Sequence, residues 1–421
     1  SQRCSLLLDP WLVGDLYNGA WSPLATCEDL EFLKSVTHVF ISHIHEDHWD
    51  KETLHFVNKE AQIYVPDLPI NFVLIREIRR LGFANIKKLD LGRKTHLTDI
   101  DITIIPPMNA FGQHLGSYVE GYETDATHID TSLLVEDRET GTSHLFLCDN
   151  TPYDLSVLQK IVWDKLCTLW YPFNSYAQDY PLCYKLDNNE KNRIHAEINV
   201  KRKNAIEQCI KVVKPQFFFP HSADFVLNGP MTESFAAYAD KTYLDRKLVA
   251  KNFRFKNVNF SEGCYLGFGD ELEIKGSGYL EIHRDRYEFR INTPKENLVA
   301  FHSTIKGDAS LVVEEAFSKM LSRCENFQIN LSAASGWLLE LNIDQKKYFL
   351  SFRDRRVITK GDEIAIDSKI LGVKLTKNQF DALMTRELHW NNAQIGFHLE
   401  FERSPNEYCQ DLYKSLNFLH L

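Results

Sequence analysis

The sequence has little of what marks fibrous, membrane-spanning or exported proteins. Its 19 glycines and 14 prolines among 421 residues are too few for a collagen-like or low-complexity chain. No apolar run approaches the roughly 18 residues of a transmembrane helix, so we expect no membrane span. The first residues lack a basic stretch followed by an apolar core, so no signal peptide is expected.

Cysteine pairs and basic clusters are also lacking. The nine cysteines are odd in number and scattered without a C-x-x-C pair, which predicts a reduced, cytoplasmic protein with no disulfide framework. The formal net charge is −10, and binding a nucleic-acid backbone needs clustered Lys and Arg. We therefore expect a small-molecule substrate and no nucleic-acid partner. The sequence leaves the oligomeric state open.

What is present is the composition of an ordered globular protein, with 44% hydrophobic and 25% charged residues. Residues 1–250 alternate short apolar runs with helical patterns, which favours a layered α/β domain. A basic stretch over residues 246–256 predicts the domain boundary. Residues 257–421 combine alternating strand patterns with two helical patterns, which predicts an α+β accessory domain.

One short segment carries most of the chemistry. His43, His45, Asp47 and His48 form an H-x-H-x-D-H pattern between the strand-like residues 39–41 and a helix-like stretch at 51–57. Loops at strand ends commonly hold sites in α/β proteins. Imidazole and carboxylate groups are ligands for borderline metals. Six residues cannot easily surround one ion, but they can serve two ions about 3.5–4 Å apart, as in two-metal hydrolytic sites.

Four further side chains are expected at strand ends. His128 precedes the predicted strand 132–136, Asp149 follows the strand 144–148, and His221 follows the strand 216–219. Each alone is weak evidence, but together with the motif they would supply five imidazoles and two carboxylates. Asp9, at the end of the first strand, is predicted to orient a ligand histidine, with Pro10 restricting it to extended backbone geometry.

This constellation resembles the metallo-β-lactamase superfamily. The resemblance implies an αββα sandwich with a dinuclear site at one edge, followed here by the second α+β domain. Carried over by motif position, His43, His45 and His128 would hold one ion, Asp47, His48 and His221 the other, and Asp149 would bridge them. The two divalent ions could be zinc, iron or manganese, which the sequence does not distinguish.

Within the superfamily, residues 9–14, 41–43 and 130–136 resemble the branch that contains CMP-N-acetylneuraminate hydroxylase, N-acylphosphatidylethanolamine phospholipase D and ascorbate-6-phosphate lactonase-like proteins. Residues 389–392 also resemble bacterial relatives of the hydroxylase. None of the nine cysteines is followed by His two or three residues later, which is the spacing that a Rieske iron–sulfur centre needs. We therefore expect no Rieske centre in this sequence. Residues 325–421 faintly resemble a sterol-carrier-protein-2-type fold.

Three functional hypotheses follow. The first is a dinuclear metal-dependent hydrolase, whose bridging hydroxide attacks an ester, lactone, amide or phosphodiester while Asp47 orients it. The second is a non-haem diiron oxygenase that needs electrons from a separate reductase. The third is a binding protein with a vestigial metal site, which predicts a missing ligand although every motif position is filled.

Aromatic residues near the motifs are candidates for a substrate pocket. Trp11, Trp49, Tyr171 and Tyr176 flank the ligand positions. Packing in the core is the usual fate of such side chains, so the pocket and the core interpretations stay open. For residues 389–392, a helix cap is favoured over a partner surface.

Overall fold

The structure is a computed structural model, and its described residues lie in ranges separated by gaps. They are residues 4–68, 71–108, 129–151, 155–161, 166–172, 179–222, 225–229, 262–263, 270–275, 279–283, 288–293, 295, 298, 300–302, 304–306, 308–327, 329–358 and 369–421.

The first sheet has four parallel strands and carries helices on one face. In spatial order its strands are Leu6–Leu8, His38–Phe40, Gln62–Pro66 and Ile86–Leu89. Helices Lys51–Phe56 and Asn71–Arg80 pack on it through Leu54 and Leu74, which share a core with Val39 and Ile63. Alternation along the strand turns the neighbouring Phe40 to the opposite face.

The second sheet has seven strands, and its parallel half is also covered by helices. In spatial order its strands are Glu262–Gly263, Phe217–His221, Leu166–Pro172, Ser143–Phe146, Ser132–Asp137, Ile100–Ile105 and Lys94–His96. The first four strands run parallel to one another. From Ser143–Phe146 onward, each strand is antiparallel to the next one in the sheet. Helices Leu155–Ile161 and Asn188–Val213 cover this sheet through Leu158 and Ile206.

The two sheets face each other across a shared apolar layer. Phe40, Tyr64 and Leu89 of the first sheet form one buried cluster with Ile102 and Leu133 of the second. With helices on both outer faces, the order of layers is α, β, β, α. This confirms the αββα sandwich predicted from the sequence.

The C-terminal residues build a separate five-stranded sheet with helices, an α+β arrangement. In spatial order its strands are Arg356–Ile358, Lys346–Ser351, Trp337–Ile343, Lys369–Leu375 and Glu400–Ser404. Its helices are Ala309–Asn326, Lys377–Thr385, Trp390–Ile395 and Gln410–Leu416. The resemblance to a sterol-carrier-protein-2-type fold stays a prediction.

The C-terminal part and the sandwich are joined by strands and by a common core. Strand Phe289–Ile291 pairs with Ala25–Cys27, and Glu262–Gly263 extends the second sheet. Leu16, Trp21 and Phe225 belong to the same buried cluster as residues of the C-terminal sheet. Residues on both sides of the predicted boundary therefore pack together, and the boundary itself stays a prediction.

The remaining elements are short. Two further antiparallel pairs are Trp21–Pro23 with Phe225–Leu227, and Glu271–Lys275 with Tyr279–His283. Where a helical pattern begins at residue 28, the structure has only a 3-10 turn, Glu31–Ser35. A second 3-10 turn is Glu46–His48, and a short helix is Asp179–Leu182. None of the helices in the described ranges is long and apolar enough to cross a membrane.

Candidate metal centre

The motif histidines lie on the metal-site loop, residues 42–50, which follows strand His38–Phe40 at its carboxyl end. His43 is fully buried, and its Nε2 lies 2.8 Å from Nδ1 of His45. The loop ends at Asp50, whose carboxylate accepts hydrogen bonds from the backbone N–H groups of Glu52 and Thr53 and so caps the next helix. The cap fixes where the loop rejoins regular structure.

Gly14 ties the N-terminal segment to the same cap. Its N–H donates to Asp50 Oδ2 over 3.0 Å. A Cβ at position 14 would collide with the Asp50 carboxylate, so this close approach requires glycine. The segment that carries Asp9 is thereby held against the metal-site loop.

Asp149 reaches the loop from the second sheet. It follows strand Ser143–Phe146, and its Oδ2 lies 3.4 Å from Nε2 of His48. The same His48 atom lies 3.4 Å from Oδ2 of Asp47. His43, His48 and Asp149 each offer a ligand atom within 4.8 Å of the others. The edges of the two sheets thus bring together side chains that are 100 residues apart in the chain.

Asp130 is a member of this cluster that the ligand prediction missed. Its Oδ1 lies 3.6 Å from His43 Nε2, and His43, His45 and Asp130 form a second group of potential ligand atoms within 4.8 Å. The available signal was its position two residues after His128, because residues i and i+2 of an extended segment point to the same side.

Asp9 contacts a motif histidine, and its role in orienting a metal ligand stays a prediction. Its Oδ2 lies 2.8 Å from His48 Nδ1, and it also accepts hydrogen bonds from the backbone N–H and the hydroxyl of Ser42, each over 2.7 Å. Its backbone geometry is not the extended one expected before Pro10, since its φ is 41°. Aspartate tolerates this left-handed region, and the three hydrogen bonds to its carboxylate hold it there.

Burial and neighbouring charges set the protonation of the cluster. Burial lowers the pKa of His43 and of His45. Burial alone would raise the pKa of Asp47, but the adjacent His48 holds it below its ordinary value. Two neutral imidazoles and an ionised carboxylate are the forms that bind metals.

The pKa values of Asp130 and of His48 are both raised. Burial, reinforced by the charge of Asp149, raises the pKa of Asp130 to about 8. Burial opposes the charged form of His48, but the carboxylates of Asp47, Asp9 and Asp149 outweigh it and raise its pKa. Crowded carboxylates around a histidine need positive charge between them, which a cation would supply.

The donor atoms fit a cation for a second reason. His45 Nε2 and Asp130 Oδ1 are buried and have no hydrogen-bond partner among the residues that the structure describes. Leaving a buried polar atom unpaired costs about 1–3 kcal/mol. Two such atoms in one cluster are consistent with ligands of an ion. The described residues therefore contain a candidate metal-binding group.

Tyr17 and Glu46 support the loop from the far side and carry no sequence signal. The Tyr17 hydroxyl donates to Asp47 Oδ1 over 2.6 Å, and the Tyr17 N–H donates to Glu46 Oε2 over 3.0 Å. Burial and the charge of Asp47 raise the pKa of the Tyr17 phenol, so it stays a donor. The hydrogen bond leaves Asp47 Oδ2 facing His48.

Three predicted ligands are not in these groups, and the first is Asp47, which lies beside His48 and whose ligand role stays a prediction. His128 lies outside the described residues. His221 ends strand Phe217–His221, where it pairs with Pro172, and it belongs to neither group within 4.8 Å. Because the strand runs parallel to Ser143–Phe146 one strand away, His221 lies at the same end of the sheet as Asp149. The ligand roles of both histidines stay predictions.

Two of the four aromatic residues predicted to line a substrate pocket lie in the hydrophobic core. Trp49 and Tyr171 are 5% and 2% exposed and belong to the two helix-facing cores. Trp11 is half-buried, and its Nε1–H donates to the Gly14 carbonyl over 2.7 Å. Tyr176 lies outside the described residues. The positions of Trp49 and Tyr171 are those of core residues, and a pocket role for any of the four stays a prediction.

Curated relatives with similar sequences include an iron-sulfur protein and a hydroxylase. A Mycolicibacterium smegmatis protein described as a Rieske 2Fe-2S iron-sulfur protein is 32% identical over 165 residues, which is 38% of this chain and 29% of that protein. The Mus musculus cytidine monophosphate-N-acetylneuraminic acid hydroxylase is 25% identical over 301 residues, 68% of this chain and 49% of that protein. The chain thus spans half the length or less of these relatives. No protein-family profile matches it.

Solved structures with related folds include enzymes of two kinds. CmlA, a diiron β-hydroxylase from Streptomyces venezuelae, is 18% identical with a TM-score of 0.38, covering 62% of this chain and 49% of that one. Igni18, a metallo hydrolase from Ignicoccus hospitalis, is 12% identical with a TM-score of 0.35, covering 66% and 90%. The αββα layers, the histidine motif at their edge and the alignment with the sialate hydroxylase confirm the predicted resemblance, and the chain has the fold of the metallo-β-lactamase superfamily.

Proposed function

We propose that this chain is a dinuclear metal-dependent enzyme and that its metal is iron. His43, His45 and Asp130 would hold one ion, and His48, Asp149 and Asp47 would hold the other. His43 belongs to both groups within 4.8 Å, which places the two sets side by side. His128 and His221 would complete the coordination. The observation that carries the proposal is this convergence of imidazole and carboxylate atoms from both sheets.

The similarity to a hydroxylase favours iron over zinc. The two groups of potential ligand atoms share His43, and each combines two histidines with one carboxylate, a set that both iron and zinc bind in enzymes. Hydroxylation by O₂ requires a redox-active metal, which iron is and zinc is not. We therefore favour a non-haem diiron oxygenase that hydroxylates a small molecule.

When bound, a pair of iron ions would supply the reduction of O₂ in which one oxygen atom enters a substrate C–H bond and the other leaves as water, with two electrons from a separate reductase and two protons from solvent. The chain's own residues hold the ligands in place. Asp9 accepts the Nδ1–H of His48 and so directs Nε2 toward the cluster. Tyr17 keeps one Asp47 oxygen occupied and leaves the other facing His48.

Hydrolysis is the second candidate, and Asp47 is the observation that favours it. Its carboxylate is held ionised by His48 and oriented by the Tyr17 hydroxyl. Such a carboxylate can accept a hydrogen bond from a water molecule and so orient it for attack. The substrate would then be an ester, lactone, amide or phosphodiester, and zinc or manganese would serve.

Metal content and reactivity of the full chain distinguish these functions. The protein is expressed in medium with equal iron and zinc, and its metals are counted by mass spectrometry. We expect two irons per chain, and with reductant the iron-loaded protein should consume O₂ in the presence of its substrate. Stoichiometric zinc, with turnover in an ester, lactone and phosphodiester panel, would establish the hydrolase instead.

A protein that takes up neither metal would be the vestigial binding protein. His43→Ala should abolish metal uptake. His55→Ala is its matched control, because His55 is exposed on the neighbouring helix.

A further inference from the structure

The C-terminal part of the chain reaches the metal-site loop at two points. The Asn392 side-chain amide donates to Glu46 Oε1 over 2.9 Å. His398 Nε2 lies 2.6 Å from the Tyr17 carbonyl oxygen. Asn392 lies in helix Trp390–Ile395, whose first turn is capped by the His389 side chain. The capped helix predicted at residues 389–392 therefore also places a donor against a residue of the ligand motif.

Both contacts lead to Asp47 through Tyr17. Glu46 accepts the Tyr17 N–H, His398 donates to the Tyr17 carbonyl, and the Tyr17 hydroxyl donates to Asp47. Every polar group of Tyr17 is therefore engaged. Because His398 is buried, its pKa is lowered, and the neutral ring can donate from Nε2.

The backbone at Tyr17 needs this support. Tyr17 and Asn18 have φ values of 51° and 56°, and Gly19 follows at 82°. A left-handed conformation is unfavourable for a residue other than glycine, because its Cβ comes too close to the following carbonyl oxygen. Such strain persists where surrounding contacts over-determine it, and it clusters at functional sites. The contacts from Glu46 and His398 fix the conformation that directs the phenol at Asp47.

We propose that Asn392 and His398 are positioning residues, through which the C-terminal part sets the orientation of Asp47 in the metal centre. The proposal rests on the metal function proposed above. It gives the C-terminal part a defined role, which is to support the metal-site loop through Glu46 and Tyr17. Neither residue contacts a donor atom directly, so their effect passes through Tyr17 and Glu46.

Cobalt(II) binding to the metal-free full chain tests this, because its visible absorption reports ligand geometry independently of activity. Asn392→Asp removes the donor and sets two carboxylates against each other. We expect about tenfold weaker cobalt affinity, in line with the effect of outer-shell partners, and a changed spectrum. The double variant Glu46→Gln with Asn392→Asp exchanges donor and acceptor, so it should restore both.

The control must destabilise the same part without touching the site. Asp308→Ala removes the cap of helix Ala309–Asn326, which destabilises that helix, and should leave the cobalt spectrum unchanged. If Asn392→Asp fails to fold, two variants of His398 replace it in the test. His398→Leu loses the donor to the Tyr17 carbonyl, and His398→Gln keeps a donor there.

The failures are distinguishable. Wild-type protein that binds no cobalt would overturn the metal function and this proposal with it. Wild-type affinity and spectrum in Asn392→Asp or His398→Leu, with cobalt bound normally, would overturn the positioning role alone.

Discussion

The Nδ1 atom of His48 lies 2.8 Å from the Oδ2 atom of Asp9, although the two residues are 39 positions apart in the chain. Both are almost fully buried at the end of the first sheet. A metal-binding histidine commonly donates its second N–H to a carboxylate, which fixes its tautomer. This pair supplies that arrangement for His48.

Replacing Asp9 by Asn should weaken metal binding by about 10–100-fold. The new amide can turn an N–H toward His48 Nδ1, which then favours the tautomer with the proton on Nε2, the atom needed for the metal. Competition with a chromogenic chelator measures the affinity. Asp29→Asn is the control, because Asp29 only accepts the Glu31 N–H in an exposed turn. Equal affinities of Asp9→Asn and wild type would contradict the orienting role.

Metal binding at pH 7 should release protons. With a pKa of about 8, Asp130 is protonated at this pH in the metal-free protein, and the raised pKa of His48 keeps it charged. Ligands must lose these protons to bind, so affinity should rise with pH up to about 8. Calorimetry in two buffers of different ionisation enthalpy counts the protons.

The Asp130→Asn variant tests whether one of the released protons comes from Asp130. It should release about one proton fewer than wild type, besides binding more weakly. Identical proton counts in the two proteins would mean that Asp130 is not a ligand.

The predicted ligands His128 and His221, which belong to neither donor group, make a further prediction. His128→Ala and His221→Ala should each lower the metal content from two ions per chain, because each removes one donor from a different ion. Metal analysis after dialysis measures this, with His55→Ala as the control. A variant that retains two ions at wild-type affinity would remove that residue from the ligand set.

The sequence predicts most strands and the motif loop, because apolar alternation and a dense histidine pattern are local signals. The predicted strand 132–136 is Ser132–Asp137 in the structure, and the helix-like stretch 51–57 is helix Lys51–Phe56.

Contacts between residues far apart in the chain are not predicted by local sequence patterns. Asn392 and Tyr17 look like any polar or aromatic residue, and only the folded chain places them beside Glu46 and Asp47. Asp130 was visible in the sequence, but His128 two residues earlier matched the expected ligand type. The identity of a ligand set depends on side-chain direction, which spacing alone does not give.

A buried histidine outside the metal centre should make stability depend on pH. Burial lowers the pKa of His144 to about 4, with Asp137 opposing the shift, and its ring bonds Thr142 and Thr168 over 3.0 and 2.9 Å. In the unfolded chain the pKa is about 6.5. As pH falls from 6.5 toward 4, the unfolded state takes up the proton first, so the native state loses stability by up to about 3 kcal/mol.

His144→Asn has no ring to protonate and can keep a hydrogen bond to Thr168. Its free energy of unfolding, measured with urea on metal-free protein, should therefore fall by about 2–3 kcal/mol less than that of wild type between pH 7 and pH 4.5. The exposed His55→Asn should follow the wild-type curve. Parallel profiles of unfolding free energy against pH for wild type and His144→Asn would contradict this prediction. They would mean that the folded protein binds a proton on His144 as readily as the unfolded chain does.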